Sequence, residues 1–172
     1  MLDSQTLAMM AEGTGATLYM TLMSTLFGYI LGLPMGIILV VTAPKGLRPN
    51  QVVYRILDGI VNITRSIPFL ILMILIMPFT RILVGKTYGT TATIVPLALA
   101  AAPFIARMVE SSLLEVDHGV IEAAQSMGAS LWTIIWKVLL AEARTSLIVG
   151  ATIALGTILG YSAMAGTIGG GG

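Results

Sequence analysis

Long apolar segments alternate with short polar ones along the whole chain. The first apolar segment covers 16–42, and the others cover 66–84, 87–108 and 145–168. A bilayer core about 30 Å thick is crossed by about 20 helical residues, so each segment suits one transmembrane helix. The pattern predicts an all-α, polytopic membrane helix bundle with four spans. A cleaved signal peptide is an alternative for the first segment, which is however too long and has no basic residue before it.

The composition agrees with a membrane protein. Of the 172 residues, 56% are hydrophobic and 10% are charged, whereas soluble domains carry about 25% charged residues. The formal net charge of +1 argues against a nucleic-acid partner. The chain has no cysteine and one histidine, which excludes disulfides and thiol nucleophiles and argues against a metal site. We therefore expect no catalytic residue, cofactor or metal.

Basic residues are unevenly distributed between the polar connections. The two connections that share one side of a four-span bundle hold seven of the nine lysines and arginines: Lys45, Arg48, Arg55, Arg65, Arg107, Lys137 and Arg144. Cytoplasmic connections of membrane proteins are enriched in such residues. These connections are therefore predicted to be cytoplasmic, and the N-terminal tail at 1–13 is predicted to be extracytoplasmic.

The spans lack the groups that drive active transport. Arg81 is the one ionisable residue expected deep inside a span, whereas ion-coupled transporters bind and relay ions through such residues. Gly85-Lys86-Thr87 imitates the end of a phosphate-binding loop, but Thr80 stands where that motif requires glycine. The energy source is therefore predicted to be a separate protein.

Glycines recur every fourth residue in two of the spans. They are Gly28, Gly32 and Gly36 in the first span and Gly156 and Gly160 in the fourth. Small residues at this spacing let helix backbones approach closely in lipid. Both runs are predicted to pack against neighbouring helices.

The polar segment at 115–142 is predicted to fold as two short helices around a glycine corner. Apolar residues at 131, 134, 135, 138 and 139 have helical spacing, and Ser130 precedes them as a candidate N-cap. A second helix fits 120–127, and Gly128 between them suits a left-handed backbone. Ala123 and Ala124 are expected to expose a shallow surface beside Glu122. An amphipathic helix pair lying on the membrane through Trp132 and Trp136 is the alternative.

This segment resembles the EAA loop of type I ABC importer permeases. The resemblance rests on Glu122-Ala123-Ala124, Gly128, Val138 and Leu140. It implies a coupling helix that docks in a cleft of an ATP-binding subunit through Glu122, Ala123, Ala124 and Gly128. The family pattern ends in proline where this chain has Ala141, which should soften the next corner. The resemblance also assigns 14–172 to an ABC transmembrane type-1 domain with the coupling loop at 115–142.

Four other motifs resemble permeases of methionine importers: Arg65-Ser66-Ile67-Pro68-Phe69, Pro78-Phe79-Thr80-Arg81, 102–110 (APFIARMVE) and Gly160-Tyr161-Ser162-Ala163-Met164. The resemblance implies a homodimer in the bacterial inner membrane, with two copies of an ATP-binding subunit and an extracytoplasmic substrate-binding protein. The substrate implied is D- or L-methionine. Such permeases continue with a further span, so a fifth span is expected to be missing after Gly172. A short permease unable to transport, and a permease for another small amino acid or peptide, are alternatives.

The residues of a translocation path are harder to assign. Tyr161, Ser162 and Met164 in the fourth span and Asn62 before the second are the candidates, because they place small or polar groups near apolar spans. A membrane scaffold that uses its glycine faces and needs no pore is a further alternative. An intramembrane enzyme would need paired carboxylates, a Ser–His pair or metal ligands within the spans, and the sequence offers none.

Overall fold

The computed structural model describes residues 3–167 and 169–171, in which helices account for almost all regular structure. They are α1 (Ser4–Thr42), α2 (Gln51–Ser66), α3 (Phe69–Val84), α4 (Thr90–Leu114), α5 (His118–Ser126), α6 (Leu131–Thr133), a π-helical segment (Ile134–Leu139), α7 (Leu140–Glu142) and α8 (Arg144–Gly166). The all-α prediction is confirmed.

The predicted spans correspond to α1, α3, α4 and α8. Within the described residues, α1, α4 and α8 are each long and apolar enough to cross a membrane. Helix α3 reaches that criterion only together with α2, from which it is bent by 112°. Helix α1 begins at Ser4, so most of the expected tail at 1–13 continues the first span as helix. The predicted end of the fourth span, Ile168, lies outside the described residues.

Helices α1 and α4 form the core through the glycine run of α1. The three glycines are buried, and they face α4 in order along both helices. A Cβ added to Gly32 would lie 2.6 Å from the Ala102 carbonyl oxygen, and one added to Gly36 would lie 2.7 Å from that of Ala106. The two backbones are therefore in direct contact, as predicted for this run.

The glycine run of α8 behaves differently. Gly156 and Gly160 are exposed, and no described atom lies within 4 Å of a Cβ added to either. The prediction that they pack against another helix of this chain is wrong. Gly150 is the buried glycine of α8 and lies against Met108 of α4.

Helices α4 and α8 run antiparallel. The Ser146 hydroxyl donates to that of Ser112 at 3.0 Å near one end of the pair. At the other end, the Gly89 backbone N–H donates to the Gly169 carbonyl at 3.0 Å. The first residue of α4 and the last residues of α8 therefore lie at one surface. Residues 115–142 emerge at the opposite surface.

The predicted connection between the first two spans contains a helix, α2, that was not identified from the sequence. Asn50 caps the helix by accepting the Val52 and Val53 N–H groups, each at 3.2 Å. Val61 is fully buried against Leu39 of α1 and Ala106 of α4. The burial of this apolar side holds α2 against the bundle, and the chain then turns at Pro68 into α3.

Candidate docking site and translocation path

The docking knob, residues 117–130, contains α5 and the glycine corner after it. Asp117 caps α5 by accepting the Gly119 N–H at 2.7 Å. Gly128 has φ +76°, in the left-handed region that disfavours residues with a Cβ. Its N–H donates to the Gln125 carbonyl at 2.9 Å, and the Ala129 N–H donates to that of Ala124 at 3.0 Å. The predicted glycine corner is confirmed.

The chain after the corner returns to the bundle as one irregular helix. The Ser130 hydroxyl accepts the Thr133 N–H at 3.3 Å, which confirms the predicted N-cap. The predicted apolar side is also confirmed, because Ile134, Ile135 and Leu139 are buried. The π-helical segment was not predicted. In it, the Leu140 N–H donates to the carbonyl of Ile135, five residues back.

The docking knob is attached to the helix ends beneath it. Ala124 is only 5% exposed and belongs to one apolar cluster with Val41 at the end of α1, Leu113 at the end of α4, and Leu139. The expectation that Ala124 exposes a docking surface is therefore wrong. A buried alanine permits close packing of α5 on the bundle, so the knob and these helix ends form one packed unit.

The outer surface of the knob is formed by other residues. The Glu122 side chain is 66% exposed, and Oε1 lies 3.1 Å from Nδ1 of His118, one turn earlier. His118 is the first residue of α5. Ala123 and Gly128 are exposed, and Met127 is 82% exposed. The exposed carboxylate of Glu122 and the exposed thioether of Met127 offer one charged and one adaptable apolar contact to a protein partner.

The four predicted path residues have different surroundings. The Tyr161 ring stacks on that of Phe69, with centroids 4.6 Å apart and planes 3° apart. Ser162 is buried, and its hydroxyl donates to the Leu159 carbonyl at 2.8 Å. Met164 is exposed, on the side of α8 that carries Gly160. Asn62 lies on α2 and contacts Arg107 of α4.

Asn62 belongs to a charged network that links α2 to α4. Its amide donates to Asp58 Oδ2 at 3.1 Å, and its carbonyl oxygen accepts from Arg107 Nη2 at 2.9 Å. Arg107 also pairs with Asp58 and with Glu110. Helix α4 continues to Leu114, so Arg107 and Glu110 lie in its final third. The i, i+4 spacing of Asp58 and Asn62 was the signal in the sequence.

Comparisons with known proteins agree on one kind of protein. Residues 28–172 match the family described as binding-protein-dependent transport system inner membrane component. The D-methionine transport system permease protein MetI of Yersinia pestis is 54% identical over 158 residues, which are 92% of this chain and 73% of that protein. The protein of the same name from Escherichia coli (strain K12) is 51% identical over 158 residues, with the same two coverages.

Solved structures show the same fold. A chain of the MetNI methionine ABC transporter in an inward facing conformation matches with a TM-score of 0.97 and 49% identity, covering 99% of this chain and 79% of that one. An amino acid ABC transporter with histidines matches with a TM-score of 0.70 at 21% identity, covering 89% of this chain and 68% of that one. The second similarity is one of fold alone.

Proposed function

This chain belongs to the binding-protein-dependent transport system inner membrane component family, and we propose that it is the permease subunit of a methionine ABC importer. The observation that carries the proposal is the docking knob, an exposed helix and glycine corner packed onto the ends of α1 and α4. The methionine substrate is supported by relatives about half identical to this chain that are D-methionine permeases. Both enantiomers are included in the proposal.

The proposed complex contains two copies of this chain, two ATP-binding subunits and an extracytoplasmic substrate-binding protein. Hydrolysis of ATP takes place on the separate subunit, and this chain itself is not an enzyme. The chain lies in the bacterial inner membrane with its N-terminus outside and the knob in the cytoplasm. Even without Arg65, which lies at the α2–α3 bend, six of the nine lysines and arginines belong to the two connections on the predicted cytoplasmic side, and this distribution supports the orientation.

The mechanism we propose passes movement through the docking knob. Closure of the ATP-binding subunits displaces Glu122–Gly128. Because Ala124 packs in one cluster with Leu113 and Leu139, this displacement moves the ends of α1 and α4 and the segment leading into α8. The bundle then alternates between an inward-open and an outward-facing packing, each stabilised by a different state of the ATP-binding subunits.

The alternatives are not favoured. A scaffold needs no docking knob and would not resemble methionine permeases over 92% of its length. A permease for another small amino acid or peptide would retain the fold, but the identity of about half to D-methionine permeases favours methionine. The surface with Trp132 and Trp136, both exposed, is separate from the exposed residues of the knob and is compatible with a membrane contact.

The test is reconstitution. The chain is co-expressed with the ATP-binding and substrate-binding proteins of a methionine importer from the same organism, and the complex is placed in lipid vesicles. We expect the subunits to co-purify and ATP to drive uptake of labelled methionine, with unlabelled D- and L-methionine as competitors. Co-purification without uptake would support the transport-incompetent alternative, and failure to bind any ATPase would support the scaffold.

A further inference from the structure

A small, half-open pocket lies at the bend between α2 and α3, next to α4 and α8. Its volume is about 150 Å³, and it is lined by Thr64, Arg65, Ile67, Phe69, Leu72, Ala100, Phe104 and Tyr161. Ala100 and Phe104 are the eleventh and fifteenth of the 25 residues of α4. The pocket therefore lies beside the middle of a membrane-spanning helix.

Arg65 is the unexpected residue of this pocket. It lies in the last turn of α2, is exposed, and forms no ion pair within residues 3–167 and 169–171. A cation at the middle of a bilayer costs about 2.5–3.5 kcal/mol on insertion scales, and such residues mark substrate paths. The planar guanidinium matches a carboxylate with two parallel hydrogen bonds. Arg65 thus offers a site for an anionic group at this depth.

The remaining walls suit an apolar side chain. The stacked rings of Phe69 and Tyr161 form one wall, and Leu72, Ala100 and Phe104 complete the lining. The pocket volume of about 150 Å³ is large enough for an unbranched four-atom thioether chain, since a cavity of that volume can hold benzene. Thioether sulfur atoms also contact aromatic rings favourably.

Thr64 supplies a polar group at the pocket. Its hydroxyl donates to the Ile60 carbonyl at 2.8 Å. The proton of that hydroxyl is therefore engaged, and its oxygen lone pairs remain to accept a hydrogen bond. An ammonium group is the matching donor. One pocket thus combines a cation, an acceptor and an apolar space.

We propose that this pocket, between the α2–α3 bend, α4 and α8, binds the transported amino acid during its passage. Arg65 binds the α-carboxylate, Thr64 accepts from the ammonium group, and the unbranched apolar side chain lies against Phe69 and Tyr161. This proposal rests on the proposed function and adds to it a specificity site within the permease itself.

Direct binding tests the pocket without the substrate-binding protein. Labelled L-methionine is equilibrated with the complex of permease and ATP-binding subunit, and the ATP-binding subunit alone serves as the blank. Arg65→Gln should weaken binding by about tenfold or more, the effect of losing one charge-assisted pair. Arg55→Gln is the matched control, because Arg55 is also exposed on α2 and does not line the pocket. It should bind as the wild type does.

A second variant changes volume rather than charge. Ala100→Leu adds three carbon atoms to the pocket and should abolish binding. Methioninol, which lacks the carboxylate, should compete poorly against the wild type. Wild-type affinity in both Arg65→Gln and Ala100→Leu would overturn the pocket proposal, as would the absence of saturable binding to the wild-type complex.

The two proposals fail in different ways. A wild-type complex that imports methionine, with uptake unchanged by Arg65→Gln and Ala100→Leu, overturns the pocket and leaves the proposed function intact. A complete wild-type complex that hydrolyses ATP but imports no methionine refutes the proposed function. Uptake that falls in both pocket variants while Arg55→Gln is unaffected supports both.

Discussion

Arg107 Nη1 lies 2.6 Å from Oε2 of Glu110, one turn further along α4. The same guanidinium reaches across to α2, where its second nitrogen pairs with Asp58 and donates to the Asn62 amide oxygen. The Glu110 side chain is only 11% exposed, so removal of Arg107 would leave a largely buried carboxylate without its cation. The network fixes α2, and with it the α2–α3 bend, against the central helix.

Removing the arginine should destabilise the fold. Arg107→Gln leaves two carboxylates close together without a cation. The expected loss in the free energy of unfolding is on the order of 2 kcal/mol. This is less than for a fully buried pair, because Asp58 is partly exposed. Thermal unfolding of the purified protein in detergent measures it. Arg144→Gln is the control, since Arg144 is exposed and pairs with no described carboxylate. Equal melting temperatures for the two variants would contradict the role of the network.

Close packing of α1 on α4 gives a second prediction. In Gly32→Ala the new Cβ would lie 2.6 Å from the Ala102 carbonyl oxygen, which forces the two backbones apart. We expect a loss of about 1–3 kcal/mol. Gly15→Ala, on the same helix with no described atom within 4 Å, should be neutral or slightly stabilising, because alanine favours helix. The difference in melting temperature between the two variants is the measurement, and a Gly32→Ala variant as stable as Gly15→Ala would refute the contact.

The glycine runs also show how far the sequence could predict the fold. Gly28, Gly32, Gly36 and the pair in α8 have the same spacing, yet those of α1 are buried and Gly156 and Gly160 are exposed. Spacing shows which residues share one side of a helix, but it does not show which neighbour covers that side. The spans were predictable because apolar length is a property of the segment alone.

Helix α2 was not identified from the sequence for a related reason. Arg55, Asp58, Asn62 and Arg65 make the segment look like a polar connection, and only tertiary contacts reveal that Asp58 and Asn62 face Arg107. The knob was predicted better, because the Ser130 cap and the Gly128 corner are local. The burial of Ala124 was not local, since it depends on the ends of α1 and α4.

Gly128 gives a prediction about coupling. Gly128→Val forces a β-branched residue into a left-handed backbone and distorts the corner. The left-handed conformation costs an ordinary residue about 1–2 kcal/mol of conformational free energy, and a β-branched residue more. We expect ATP hydrolysis by the complex to continue while methionine uptake falls at least severalfold. Gly85→Val is the control, because Gly85 has nearly the same φ, +74°, in the loop between α3 and α4. Uncoupling by both variants, or by neither, would argue against transmission through the knob.

The orientation is testable because the chain has no native cysteine. Lys86→Cys, between α3 and α4, should react with a membrane-impermeant maleimide in spheroplasts, in which the outer membrane has been removed and the inner membrane is intact. Lys45→Cys, between α1 and α2, should react only after the inner membrane is permeabilised. Both lysines are exposed, so folding does not hide either site. The reverse pattern would place the N-terminus in the cytoplasm and the knob outside.

The most direct test of the docking knob is photo-cross-linking from a single position within the assembled complex. Ala123→Cys, exposed on α5 beside Glu122, is labelled with a benzophenone maleimide, and Lys86→Cys serves as the control on the other surface. The account predicts an adduct between this chain and the ATP-binding subunit from position 123 and none from position 86. An adduct from position 86, or the absence of one from position 123 in an active complex, would contradict it.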